Sequence, residues 1–174
     1  VALFAFAAHP CFDTYLFLNK LSLAYPKGML MVEGLGEYSA NDFSKPDNDA
    51  MFVVGNIYYG ITDRFSIQIG AETNEAERSN LSFGALGIRG VYNLIRTEGS
   101  KYTLDATFQH VSDMGGVLSY EASFPNVFNN GANTYVVHPV MNLSKDGGYA
   151  FAIGGHCGAF HSIGSNAIVG IGAE

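Results

Sequence analysis

Strict alternation of apolar and polar side chains is the feature that most constrains how this chain can fold. It is clearest in residues 65–72, directly after a tight turn at 60–64. Because successive side chains of a strand project to opposite faces, one face carries Phe65, Ile67, Ile69 and Ala71, and the other carries Ser66, Gln68, Gly70 and Glu72. Such a strand fits either a soluble sandwich or a membrane barrel.

Similar alternation recurs along most of the chain. It predicts strands at 29–39, 51–59, 65–72, 81–94, 102–109, 118–124, 134–143, 149–160 and 167–174. Polar or glycine-containing segments between them predict loops at 40–50, 73–80 and 125–133, and turns at 96–100, 112–116, 144–148 and 161–166. Bacterial single-chain barrels have even strand numbers, so about nine strands predict a fragment that lacks C-terminal strands.

The composition limits the classes of protein that come into question. At 174 residues the chain is long enough for one small barrel or sandwich. Charged residues make up 14% of the chain, against roughly 25% in ordinary soluble domains. The net charge is -7 and the nine Lys and Arg residues are scattered, so nucleic acid is not an expected partner. The sequence contains no run of about 18 apolar residues, so it predicts no membrane-spanning helix. A membrane-spanning β-barrel has a weaker sequence signal and is compatible with the sequence.

The N-terminal residues differ from the rest. Residues 1–8 are apolar and contain Ala5-Phe6-Ala7, which is typical of the end of a secretory signal peptide; a buried N-terminal strand is the alternative. Residues 9–27 have no period and predict an irregular lead-in, with a short helix over 15–23. Residues 28–174 then form the predicted antiparallel β-barrel.

Three motifs resemble those of the bacterial outer-membrane β-barrel transporters known as meta-pathway phenol-degradation-like proteins. They are Ala8-His9-Pro10 followed by Asp13-Thr14, Lys27-Gly28-Met29 leading into Glu33-Gly34 and Gly36-Glu37-Tyr38-Ser39, and Tyr59-Gly60-Ile61-Thr62-Asp63-Arg64. The resemblance covers roughly the first 100 residues, and the chain departs from it in a long insert between Thr14 and Lys27. It implies a barrel that passes or binds small, apolar or aromatic compounds.

Together these features predict an all-β, up-and-down barrel of the transmembrane, porin-like kind in the bacterial outer membrane. Low charge, the signal-like start and tyrosines near strand ends favour contact with a lipid bilayer. The alternatives are a soluble or periplasmic lipocalin-like barrel or sandwich that binds an apolar ligand, and a structural or adhesive surface barrel. In the membrane case Phe65, Ile67, Ile69, Leu104 and Phe108 face outward; in the soluble case they are packed inside.

If the apolar faces meet lipid, the polar faces line a lumen. The predicted lumen-lining residues are Glu33, Glu37, Asn56, Ser66, Gln68, Glu72, Arg89, Thr103, Asp105, Thr107, Gln109 and Glu121. Their carboxylates outnumber the single Arg89, so an open interior would slightly favour cations or neutral polar solutes. Alternatively, Arg89 pairs with Asp105 or Glu72 across neighbouring strands and plugs a narrow barrel.

Residues that could carry chemistry form no recognisable catalytic or metal-binding pattern. His156 and Cys157 are adjacent on a strand and so face opposite sides, and the loop acids Asp42, Asp47 and Asp49 lack the glycine of a helix-loop-helix calcium site. No serine lies in a nucleophile elbow. We therefore predict no enzyme activity, no cofactor and no metal, with an enzyme of the outer-membrane phospholipase or protease type as the alternative.

Overall fold

The computed structural model describes residues 23–39, 50–77, 80–164 and 167–173, and this part of the chain is all-β. The strands are β1 (Leu30–Ser39), β2 (Ala50–Thr62), β3 (Phe65–Glu77), β4 (Asn80–Arg96), β5 (Tyr102–Asp113), β6 (Leu118–Ser123), β7 (Asn126–Asn130), β8 (Asn133–Asp146), β9 (Gly148–Ile163) and β10 (Ala167–Ala173). In the described residues no helix is long and apolar enough to cross a membrane.

All ten strands belong to one antiparallel sheet, and apart from β6 and β7 each strand pairs with the next one in the sequence. β6 and β7 share one position between β5 and β8, because β6 pairs with the second half of β5 and β7 with its beginning. The predicted all-β, antiparallel fold is confirmed. Within the described residues, β1 and β10 form the two edges of the sheet, and each pairs on one side only.

The predicted loop at 125–133 is wrong, because most of it is strand. Only Phe124 and Pro125 separate β6 from β7, and a tight turn with Gly131 at φ 62° joins β7 to β8. Proline has no N–H for the ladder, which explains the interruption, and the Asn126 amide donates to the Phe124 carbonyl at 2.7 Å across it. The asparagines of this segment suggested a loop, but pairing with β5 and β8 on both sides overrides that local preference.

Further connections are also shorter than predicted, among them the following two. β3 and β4 continue through most of the predicted loop at 73–80, with bulges that adjust their register. β2 continues to Thr62, so the predicted turn at 60–64 reduces to Asp63 and Arg64, with a register shift between Gly60 and Thr62. In both cases paired neighbours supply hydrogen bonds that extend the strands beyond their alternating segments.

The sheet has one apolar and one polar face, and the polar face is the buried one. We call the face with Asn56, Ser66 and Asp105 the inner face and the opposite one the outer face. Ile69 and Phe108 are 45% and 57% exposed on the outer face, and Phe65, Ile67 and Leu104 are half-buried. None of these five side chains lies in a packed interior.

The sheet curls strongly around residues 23–26 of the lead-in. Tyr25 packs on Tyr58 of β2, whereas Leu23 and Ala24 belong to a cluster that reaches Val136 of β8. In a flat sheet β2 and β8 would be about 24 Å apart, at ~4.8 Å per strand. Three consecutive residues span at most about 10 Å, so the inner faces of β2 and β8 must bend toward each other.

Several predictions concern residues outside the described ranges. These are the signal-like residues 1–8, most of the short helix predicted over 15–23, and the loop at 40–49 with its three aspartates. They stay predictions.

Candidate solute-facing interior

Ladder pairing shows that the predicted lumen-lining residues share one face of the sheet. One row joins Tyr58, Gln68, Arg89, Gln109 and Glu121 across β2 to β6, and directly paired residues point to the same side of an antiparallel pair. Alternation along each strand then assigns the remaining predicted residues to the same face. Asn56, Ser66, Thr103, Asp105 and Thr107 are buried, and Glu33, Gln68, Glu72, Arg89, Gln109 and Glu121 are half-buried. Glu37 lies in β1, but its side chain is outside the described part of the structure.

We call the end of the inner face that residues 23–26 cover the floor of this interior. Asp105 lies there and is 0% exposed. Its Oδ1 accepts a hydrogen bond from the Asn93 amide at 2.6 Å, and its Oδ2 accepts one from the Leu23 backbone N–H at 2.7 Å. A buried carboxylate is costly unless donors surround it. Asp105 therefore ties the lead-in to the sheet wall.

A second group of contacts holds the lead-in on the other side. The Tyr25 N–H donates to Ser66 Oγ at 3.2 Å, and the Tyr25 ring stacks on Tyr58 with centroids 4.9 Å apart. Pro26 lies so close to Gly60 that a Cβ on Gly60 would come within 1.8 Å of the Pro26 carbonyl oxygen. Glycine at 60 is thus required by this close approach, and residues 23–26 cover the inner face at the end of the sheet where the turn 63–64 lies.

Glu33 is the centre of a smaller polar cluster on β1 and β2. Its Oε2 accepts from Tyr58 Oη at 2.6 Å and from the Asn56 amide at 3.3 Å, and Asn56 Oδ1 accepts from the Gln68 amide at 3.1 Å. This chain of hydrogen bonds runs across three strands. It holds the Gln68 side chain in a defined orientation beside Arg89, its partner in the ladder.

The predicted ion pair between Arg89 and Asp105 is wrong. Arg89 pairs in the ladder with Gln109, and Asp105 pairs with Asn93. The position opposite Asp105 lies four residues from Arg89 along β4, or about 13 Å. The bulge between Asn93 and Ile95 shifts this register by only one residue, so hairpin counting from the Arg96–Thr103 pair already places Arg89 opposite residue 109 or 110 and not opposite Asp105.

A hydrogen-bonded Ser–His pair on the inner face was not predicted from the sequence. Ser123 Oγ lies 2.8 Å from His138 Nε2 and 2.5 Å from Thr107 Oγ1. A nucleophilic serine needs an adjacent base and access for its substrate, and Ser123 is 0% exposed. The pair therefore serves to satisfy buried polar groups between β5, β6 and β8. Cross-strand register, which the sequence does not show directly, is the only signal that would have joined these residues.

The late histidine and cysteine residues lie as the strand alternation predicts. His138 and His156 are ladder partners with ring centroids 5.6 Å apart, His156 is half-buried, and Cys157 is an exposed free thiol. Within the described ranges no group of three or more His, Cys, Asp or Glu side chains could hold a metal ion.

Comparison with protein families, with curated proteins and with solved structures gives no match for this chain. The sheet and its two faces are therefore what bears on its function.

Proposed function

We propose that this protein is an outer-membrane β-barrel whose inner face binds or passes small solutes. The observation that carries the proposal is the inverted distribution of side chains. Among the described residues, 26 large hydrophobic side chains are exposed, whereas nine polar or charged residues are buried. A soluble protein minimises exposed apolar patches, but a membrane barrel presents its apolar side chains to lipid.

The outer face also has the length and the borders that a bilayer requires. On β8 the alternate residues Tyr135 to Leu143 are all apolar and exposed. The segment 135–143 is nine residues long, which matches the 9–11 residues that a tilted strand needs to cross the hydrocarbon core. At one end of this band the Tyr102 and Phe128 rings pack 4.8 Å apart, and at the other Lys145 lies 5.9 Å from the Tyr149 ring centroid. Aromatic and basic side chains are favoured at membrane interfaces.

The soluble alternative requires the opposite arrangement. A lipocalin-like barrel would hold its apolar ligand on an apolar inner face, but the inner face here carries Asn56, Asp105, Thr107 and Arg89.

The curled sheet and the covered floor support a barrel that is closed at one end by its own lead-in. Such a barrel favours binding of a solute from the opposite end over free passage. The solute class, small apolar or aromatic compounds, is what the resemblance of its motifs implies and stays part of the proposal.

The experiment uses the absence of tryptophan from the chain. Phe108→Trp and Gln109→Trp place one tryptophan each on adjacent residues of opposite faces. After refolding into phosphatidylcholine vesicles, emission from the tryptophan at position 108 should be blue-shifted and quenched by brominated lipid. Emission from the tryptophan at position 109 should instead be quenched by aqueous iodide.

The control is the same pair of variants without vesicles, in a detergent that does not carry bromine. If iodide quenches position 108 in vesicles as strongly as position 109, or if the protein does not associate with vesicles, the membrane proposal is wrong and the soluble alternative is favoured.

A further inference from the structure

Arg89 is a cation on the inner face for which the described residues supply no partner. It lies in the middle of β4 and is half-buried, and its Nε is buried without a hydrogen bond. The remaining Lys and Arg side chains that the structure describes, Lys27, Arg64, Arg96, Lys101 and Lys145, are exposed. A buried donor of a charged group without an acceptor is costly, so Arg89 calls for an acceptor beyond the described residues, and a bound solute can supply it.

The neighbours of Arg89 identify which donors are available to such an acceptor. Its two ladder partners are Gln68 on β3 and Gln109 on β5. The Gln68 amide nitrogen already donates to Asn56. The Gln109 amide nitrogen lies 4.0 Å from the position of a Cβ on Gly87, and it has no hydrogen bond among the described contacts. Arg89 and Gln109 are therefore adjacent donors on a surface that solvent can reach.

The surrounding acids limit the charge of the acceptor. Glu121 follows Gln109 in the same row, so its backbone lies two strand spacings, or about 10 Å, from the backbone of Arg89. Glu72 lies four residues from Gln68 along β3. These carboxylates repel a dianion more strongly than a monoanion. The planar guanidinium fork matches a carboxylate in a bidentate manner.

We propose that Arg89 anchors a binding site for small monocarboxylates on the inner face, with the Gln109 amide as a second donor. This proposal rests on the proposed function in that it names the class of solute which the interior holds. The row of Gln68, Arg89, Gln109 and Glu121 is half-buried, whereas Asp105 and Ser66 beneath the lead-in are fully covered. The site thus lies above the closed floor and opens toward the opposite end of the sheet.

Binding of benzoate and of its neutral isostere benzamide, measured by calorimetry on the full chain folded in detergent, tests this site. The wild-type protein should bind benzoate at least 10-fold more tightly than benzamide, since a hydrogen bond to a charged group contributes about 10-fold to 100-fold in affinity. Arg89→Gln should abolish this preference, and Arg89→Lys should retain part of it. Arg96→Gln, at the exposed end of the same strand, is the matched control and should keep the preference.

Equal affinities of the wild-type protein for benzoate and benzamide would overturn the proposal, as would a preference in Arg89→Gln equal to that of the control. Sulfate binding stronger than benzoate binding would do the same, because the acids are expected to exclude dianions. If Arg89→Gln does not fold, the wild-type comparison and Arg89→Lys decide. Since binding is measured in detergent, its failure is distinct from failure of the lipid-quenching experiment.

Discussion

At the scale of single residues, the buried polar groups of the inner face fall into two kinds. Asp105 is surrounded by donors from Asn93 and from the lead-in. Thr103, two residues earlier on the same strand, is equally buried, but its Oγ1 has no partner among the described residues. Removing a satisfied group leaves its partners unpaired, whereas removing an unsatisfied one does not. The two residues should therefore respond to substitution in opposite ways.

We expect Asp105→Asn to destabilise the folded protein by about 2–4 kcal/mol, because the amide replaces one of the two acceptor oxygens with an NH2 donor, which would then face either the Leu23 N–H or the Asn93 amide. Thr103→Val should change stability by less than about 0.5 kcal/mol or increase it. Urea unfolding of both variants in detergent or vesicles measures the difference. Equal losses in the two variants would mean that the hydrogen bonds of Asp105 contribute nothing specific.

At the scale of elements, the lead-in acts as a covering segment that only its tertiary contacts define. The two residues that follow it are bonded to β2: the Gly28 N–H donates to the Gly60 carbonyl at 2.8 Å, and the Gly60 N–H donates to the Met29 carbonyl at 2.9 Å. The sequence identified residues 9–27 as irregular, but it offered no periodic pattern from which their burial could be inferred. Burial of Leu23 and Ala24 depends on Val91, Val127 and Val136, which lie on three strands far away in sequence.

Gly60→Ala should displace the lead-in, because the added Cβ would overlap the Pro26 carbonyl. We expect a loss of about 1–3 kcal/mol and a faster leak of small sugars in a liposome-swelling assay. Gly55→Ala, on the same strand with nothing within 4 Å of its Cβ, is the control and should behave like the wild type. Unchanged leak in a destabilised Gly60→Ala protein would show that the lead-in does not close the interior.

At the scale of the whole molecule, the two faces of the sheet determine which solvent the protein suits. Phe108 lies on the outer face in a row with Gly90 and Ala122, far from either end of β5. Met114 is also exposed but lies in the connection after β5. A charge in the middle of a lipid-facing surface is costly, and the cost falls toward the interface.

Phe108→Lys should therefore destabilise the protein in vesicles by about 2–4 kcal/mol, and Met114→Lys by less than about 1 kcal/mol. Heat resistance of the folded band on a gel, together with unfolding in vesicles, measures both. A soluble protein would instead tolerate or benefit from lysine at position 108, so a stable and more soluble Phe108→Lys protein would contradict the membrane proposal.

Nine of the ten described strands and the sidedness of the sheet could be predicted from the sequence alone, whereas β7 could not. Alternation at Phe65 to Ala71 and at Tyr102 to Gln109 assigns side chains to faces, because the two-residue period is a property of the extended backbone itself. Tertiary structure decided the pairing of Asp105 with Asn93, the meeting of Ser123 with His138, and the burial of Leu23 to Tyr25. These depend on bulges, register and the curl of the sheet, which arise from contacts between residues far apart in the chain and leave no local pattern.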